Sequence, residues 1–374
     1  MRICHVVPSI EERYGGPSRS VMALARSQAE LGHEVTLLAT DPTSGRETAE
    51  GTLHVRICRR DRPGLLCPSG ELRRALQAVA PDILHHHGLW LRTLHYSQQL
   101  AVQRHVPLVV SPRGMMSPWA WNHRRWRKAL ARAFVHPGAL ERAAGWHATS
   151  DDEAADVRRL GFKQPVCVAP NGVVAPSETD RATAAAYWRQ LCPALQPERT
   201  ALFYSRFHQK KRVLELIDLW LQHAPADWSL LMVGLPEDYT AAQIETYVLR
   251  SSGPGRVRVY DGEHHPAPYA VASLFLLPSH SENFGLVIAE AMSHGLPVVV
   301  TDTTPWLAVN PRGAGWCVPW ERYPAVLAEA LAEPAAQRAA RGAVARSFVL
   351  ADYSWKQAAA KMLGFYRQLL GLHG

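Results

Sequence analysis

Residues 279–297 read Ser-His-Ser-Glu-Asn-Phe-Gly-Leu-Val-Ile-Ala-Glu-Ala-Met-Ser-His-Gly-Leu-Pro, flanked by two short apolar runs, Val271–Leu277 and Leu296–Val300. Such Val/Leu-rich runs, bounded by Pro or Gly, have the pattern of strands buried on both faces. The stretch between them predicts a loop up to Gly285 and then a helix over Leu286–Ser293. Strand, loop, helix and strand in that order commit the chain to an α/β fold with a parallel sheet, because parallel neighbours need a crossover of this kind.

The first amides of the predicted helix have no intrahelical acceptor and carry the positive end of its dipole, so they favour an anion. At about 100° per residue, Glu290 falls almost under Leu286 and Val287, beside whatever phosphate those amides hold, whereas Glu282 stands before the helix on the loop. Two carboxylates beside an anion site are costly unless each meets a neutral, hydroxyl-rich partner. A nucleotide-sugar offers both a ribose and a hexose. An ordinary Rossmann-like unit in which Glu290 only braces a packing contact would show the same helix.

Glu282-x7-Glu290, set in PSxSENFGLVIAEAMxxGLPVV, resembles the retaining GT-B glycosyltransferases of family 4 (glycosyl transferases group 1), which include bacterial mannosyl- and glucosyltransferases. The resemblance implies two Rossmann-like domains facing a central cleft. An acceptor domain would span 1–172, a nucleotide-sugar domain 173–354, and a last helix at about 355–374 would return to the first. In the second domain, Ser205-Arg206-Phe207-His208-Gln209-Lys210-Lys211 resembles the family's GRLxxxKG element, so Arg206 and Lys211 match the cations that neutralise the donor diphosphate. Such cations replace a divalent ion, so no metal and no other cofactor is expected. Arg212 departs from the family's usual glycine, which puts the reach of Lys211 in question.

Length and composition agree with that architecture. At 374 residues the chain exceeds one ordinary core, which predicts two domains. No run reaches the ~18 apolar residues of a membrane span, and Met1 leads directly into the strand Arg2–Val7 without an export signal, so a cytoplasmic protein is expected. Six cysteines at 4, 58, 67, 167, 192 and 317 show neither CxxC pairs nor regular spacing, and are expected reduced and mostly buried. The net charge of +8, mostly arginine, favours phosphate contacts.

Taken in order, Arg2–Val7 delivers Gly15-Gly16 just before a helix over Ser18–Leu31, and the resemblance places this glycine pair against the leaving diphosphate. Strands follow at Val35–Ala39, Leu53–Cys58 and Asp82–His86, with a helix near Glu71–Val79. His85 and His87 share one strand face and His86 the other, but no third ligand of recognisable spacing follows, so a metal site is not expected there. The resemblance puts His87 near the donor sugar; a buried structural histidine is the alternative. Pro107–Val110 ends in SPRGMMSPW, similar to a subgroup that builds exopolysaccharide and lipopolysaccharide, where Arg113 would meet a phosphate or carboxylate or else brace backbone.

From Trp119 to Val135 stand three tryptophans and Arg124, Arg125, Arg127, Lys128 and Arg132 without a carboxylate, and Trp126, Leu130, Ala133 and Phe134 share a helical face. That composition suits an amphipathic helix on an anionic membrane, or else a charged face over a packed stripe. Nucleic acid is not expected, since no recognised motif accompanies the charge. A capping box, Ser150-Asp151-Asp152-Glu153, opens a helix, a strand covers Val166–Ala169, Pro170-Asn171-Gly172 closes the first domain, and 173–198 would be the crossing. The expectation is therefore a peripheral, metal-independent retaining transferase working on the inner membrane face. It would move a hexosyl unit from a nucleoside-diphosphate sugar to a glycan or lipid-linked acceptor. Gly15, Gly16, Arg206, Lys211 and the Asn283, Phe284, Gly285, Leu286, Val287 segment would hold the donor, with Glu290 on the ribose and Glu282 on the sugar. A nucleotide-sugar epimerase of the same architecture, or a catalytically silent binding protein, are the rival readings.

Overall fold

The Val/Leu runs become parallel strands, and two sheets take them up. In the computed structural model, which describes residues 1–10, 16–42, 45–252 and 256–372, the chain divides into two compact units, Met1–Gly172 with Trp355–Gly374, and Val173–Ser354. The first unit holds β1 (Arg2–Val6), β2 (Glu34–Asp41), β3 (Arg46–Glu50), β4 (Leu53–Arg59), β5 (Ile83–His87), β6 (Leu108–Ser111), β7 (Gly145–Ala148) and β8 (Val166–Val168) in the spatial order β3-β4-β2-β1-β5-β6-β7-β8. All pairings are parallel except that of β3, an edge strand with every residue exposed. Its Arg46, Glu47 and Glu50 keep that edge from recruiting another strand.

Alternation along β1 sends Cys4 and Val6 into one apolar cluster and Ile3 into the other, so both faces of the sheet are covered. On the second face the helices Gly16–Glu30 and Trp355–Leu369 lie together, and Ala359, Met362, Leu363, Phe365 and Tyr366 join Ile3, Val21 and Leu24. Gly145 has to lack a side chain there: a Cβ would sit 2.5 Å from the Phe365 ring.

The second unit holds β9 (Thr200–Tyr204), β10 (Ser229–Gly234), β11 (Val257–Asp261), β12 (Leu274–Leu277), β13 (Val298–Thr301) and β14 (Gly315–Val318), in the all-parallel order β11-β10-β9-β12-β13-β14. One core fills it, anchored by Trp188, Trp220, Trp228 and Trp306. The helix Leu286–Ser293 spans the predicted residues. Within 173–198, expected to be a crossing, most residues form the helix Glu178–Leu191. Ser177 caps it by accepting from the Asp180 amide at 3.0 Å, and Trp188 is fully buried. Flanking Pro and Thr concealed this cap and its single large apolar anchor. The strand predicted over Val271–Leu277 is shorter, because Pro268 opens a 3-10 turn that takes up Val271. All six cysteines are free, and every one but Cys167 is buried.

The segment 119–135 is not one helix. Helices Pro118–Asn122 and Arg125–Leu130 meet at Arg124, which adopts φ 49°, and a π-helical turn Ala131–Val135 follows. Lys128 Nζ reaches across the break to the carbonyls of Ala120 and, at 2.7 Å, His123. No packed stripe forms: Trp126, Leu130 and Phe134 are 60%, 48% and 74% exposed. Among the described residues no helix is long and apolar enough to cross a membrane.

Gly342 offers a direct check on packing behind the helix Leu286–Ser293. It lies inside the helix Ala335–Asp352, where glycine normally costs about 1 kcal/mol against alanine. Yet a Cβ there would stand 2.0 Å from the Gly295 carbonyl oxygen, which is backbone and cannot step aside. Gly342→Ala is therefore expected to reverse the usual sign and destabilise by about 1–3 kcal/mol, seen as a lower thermal midpoint. An unchanged or higher midpoint would contradict this packing.

Candidate functional site

In the second unit the candidate residues gather at the carboxyl ends of β9, β12 and β13, where ligands bind in open α/β sheets. After β9 the chain turns through a 3-10 segment, Gln209–Lys211, that buries Lys211. Arg212, which stands where the resemblance led one to expect a glycine, takes φ 53°, a conformation glycine adopts at no cost. Its guanidinium is held over the Trp320 ring at 4.1 Å and by a 2.9 Å bond to His280. The helix Val213–His223 therefore starts in place, and Lys211 is aimed at Glu282.

Lys211 and Glu282 form a buried ion pair, their side chains 9% and 10% exposed. Ser279 donates its hydroxyl to the same Glu282 oxygen at 2.7 Å, and the Glu282 amide donates to the Thr303 carbonyl at 3.2 Å. The hydroxyls of Thr301 and Thr303 both donate to the Ser279 carbonyl at 2.6 Å, which ties this loop to the end of β13. Burial alone would raise the Glu282 pKa, but the Lys211 ammonium and the bonds from Lys211 and Ser279 outweigh it, so the carboxylate stays ionised below its usual range.

Gly285 caps the helix Leu286–Ser293 in the left-handed conformation, φ 75° and ψ 61°, and having no side chain it leaves the first amides without a cap of its own. Asn283 is half-buried on the approach, as are Leu286 and Val287 on the first turn. The Phe284 side chain is committed to packing against Trp306, whose indole donates to the Phe284 carbonyl at 2.6 Å. Any donor contact from this residue would thus come from its amide. Glu290 accepts the Tyr269 hydroxyl at 2.8 Å. Arg206 does not join the Lys211–Glu282 pair. It binds Glu237 at 2.9 Å in a half-exposed bridge, which is worth little and can be exchanged for a phosphate.

In the first unit Gly15 lies outside the described residues, and Gly16 opens the helix Gly16–Glu30. His87 is buried at the end of β5 in a chain of bonds whose direction is fixed by its ends. Arg113 can only donate, and its Nη2 does so to His87 Nδ1 at 3.0 Å. His87 Nε2–H must then donate to His5 Nδ1 at 2.9 Å, and His5 Nε2–H to Gln28 Oε1 at 2.7 Å. A second chain ends on the Ala169 carbonyl. It runs from the Tyr366 hydroxyl to His85 (2.5 Å), from His85 to Ser111 (2.7 Å), from Ser111 to His147 (2.8 Å) and from His147 to Ala169 (2.9 Å).

Every imidazole in these chains is neutral with one tautomer. Burial, reinforced by the Arg113 charge, pushes His5 down to about 4 and His147 to about 3, and holds His85 and His87 well below the usual histidine range. Arg113 also donates to Asn171 at 3.0 Å, and burial lowers it to about 10.

His5, His85 and His87 bring ring nitrogens within 4.8 Å of one another, a spacing a metal ion could use. Each of those six nitrogens already has a hydrogen-bond partner, and a guanidinium lies against His87. A cation entering there would break these bonds beside a positive charge, so the cluster fits a polar brace better than a metal centre. His5 was not anticipated from the sequence. The signal lay in strand order, since β1 and β5 are adjacent and their register sets His5 against His85. Tyr269 was missed because it looks like a core aromatic.

Residues 14–175 match the family model described as Glycosyltransferase Family 4, and residues 198–336 match that described as Glycosyl transferases group 1. The GDP-mannose:cellobiosyl-diphosphopolyprenol alpha-mannosyltransferase of Xanthomonas campestris is 26% identical, covering 99% of this chain and 98% of its own. A GDP-mannose-dependent alpha-mannosyltransferase of Mycolicibacterium smegmatis is 25% identical with the same coverage, 99% and 98%. Among solved structures, sucrose-phosphate synthase from Thermosynechococcus elongatus superposes with a TM-score of 0.75 at 21% identity over 100% of both chains. HepE from Anabaena, crystallised with UDP and glucose, gives 0.75 at 19% identity over 98% of this chain and 100% of its own. The two α/β units thus have the GT-B fold, and with consecutive family models spanning most of its length the chain belongs to the family 4 (group 1) glycosyltransferases.

Proposed function

We propose that this protein is a retaining mannosyltransferase that takes its hexosyl unit from GDP-mannose and delivers it to a glycan or lipid-linked acceptor during assembly of a cell-surface polysaccharide. The observation that carries the site reading is the buried Lys211–Glu282 pair, which sets a cation and a carboxylate side by side at the strand ends of the second unit. As the bond from the anomeric carbon to the phosphate breaks, negative charge grows on the diphosphate and positive charge on the sugar ring. Lys211, Arg206 and the amides at Leu286 and Val287 answer the first, and Glu282 answers the second. Glu290 binds the ribose. In the first unit Arg113, held by His87 and Asn171, is left to meet a phosphate or carboxylate of the acceptor, and His87 acts through it as a brace. Acceptor attack on the same face, with its proton passing to the leaving phosphate, retains the anomeric configuration without a second nucleophile. No metal is required, since the cations occupy that role.

GDP-mannose is favoured because the two mannosyltransferase relatives described above carry it in their names, whereas HepE was crystallised with UDP. A donor panel of GDP-mannose, UDP-glucose and UDP-galactose in EDTA, scored by nucleoside diphosphate released and by product mass, tests this reading. Turnover of GDP-mannose is the expected result. Activity with UDP-glucose alone would overturn the donor assignment, and complete dependence on added Mg²⁺ would overturn metal independence. The exposed basic segment 119–135 supports work at an anionic membrane surface.

A further inference from the structure

Glu290 is held by a residue that nothing in the proposed chemistry uses. Tyr269, in the 3-10 turn Pro268–Val271 leading to β12, donates its hydroxyl to Glu290 Oε2 at 2.8 Å and lies 3.4 Å from the Val287 carbonyl. Its ring is 3% exposed. It stands edge-on to Tyr204 at 5.3 Å and against His294, just past the helix, at 4.7 Å. A ring wedged in this way cannot follow a moving carboxylate.

A glutamate at a ligand site otherwise has three torsions to lose on binding, the last of them broad. A fixed donor on one oxygen removes much of that freedom before the ligand arrives, which is preorganisation. We propose that Tyr269 is a positioning residue that sets the orientation of the Glu290 carboxylate, and through it the preference of this enzyme for ribonucleotide over 2′-deoxyribonucleotide donors. The inference rests on the assignment of Glu290 to the ribose. Tyr269 needs no contact of its own with the nucleotide.

Tyr269→Phe removes one oxygen and keeps the packed ring, so it isolates the bond from the fold. The measurement is calorimetric affinity of the whole enzyme for GDP and for 2′-deoxy-GDP, together with donor KM and kcat and a thermal melt. The wild type should prefer GDP by roughly ten- to a hundredfold, the range for a hydrogen bond to a charged group. Tyr269→Phe should shrink that ratio about three- to tenfold by weakening GDP alone, and raise donor KM more than it lowers kcat. Glu290→Gln should remove most of the preference. If Glu290→Gln leaves the ratio intact, the ribose assignment fails and the inference falls with it. If Glu290→Gln abolishes the ratio while Tyr269→Phe leaves it unchanged, only the inference is overturned. Equal weakening of both nucleotides by Tyr269→Phe would make the tyrosine a structural residue, and would also overturn it.

Discussion

Lys211→Ala is expected to lower turnover by roughly a hundredfold or more, the scale seen when a preorganised charge-stabilising group is removed. It should also cost stability, because Glu282, 10% exposed in the intact pair, would lose the ammonium that it faces. Breaking a buried pair from one side costs about 3–5 kcal/mol. The pH dependence has a definite sign. With Lys211 present the carboxyl titrates below its unfolded value, so the stabilisation is complete above that value and is lost as pH falls through the depressed one. Without Lys211 the burial contribution dominates, the carboxyl rises, and the acid limb of activity and of stability moves to higher pH. Adding Glu282→Gln to Lys211→Ala should recover much of the thermal midpoint by neutralising the orphaned charge, but none of the turnover. Rate profiles against pH and melts of both singles and the double measure this. Retention of turnover within threefold in Lys211→Ala would mean that the lysine only braces the loop.

Reversal of Arg124, Arg125 and Arg127 to glutamate should abolish binding to anionic vesicles. None of the three forms an ion pair among the described residues, whereas Arg132 is already bridged to Glu141 and Lys128 is used to close the helix break. Each basic residue at such a surface is worth about 1 kcal/mol, so the loss alone is about a hundredfold, before repulsion from the new carboxylates. Trp126→Ala with Phe134→Ala tests the apolar half separately and should weaken binding even at high salt. Co-sedimentation with vesicles containing phosphatidylglycerol is the measurement. Failure of the wild type to sediment at low salt would refute the membrane reading and leave the exposed aromatics to a protein partner.

What the sequence disclosed followed periodicity. The helix Leu286–Ser293 was legible to the residue, because Gly285 marks its start and two buried runs fix its flanks. β7 was not, since Gly-Trp-His-Ala lacks the β-branched run by which strands are recognised. The basic segment was read correctly in composition and wrongly in shape: the break at Arg124 depends on Lys128 reaching back to Ala120 and His123, a contact no spacing rule predicts. Lys211 and Glu282 were each singled out for the ligand, but their mutual pairing joins residues 71 positions apart. It became visible only once β9 and β12 were placed side by side.

The helix Trp355–Leu369 closes a sheet whose last strand ends at Val168, and the chain in between builds the whole second unit. On the ribosome this imposes an order. When Gly172 has been made, Ile3, Val21 and Leu24 still lack the cover of Met362, Leu363 and Tyr366. At roughly 5–20 residues per second, that cover follows on the order of 10–40 seconds later. The second unit is continuous and leaves where it entered, with Val173 bridged to Ser354, so it can finish while the first waits. A nascent chain stalled short of Tyr366 would present an open apolar face to chaperones, and the half made first would be the half completed last.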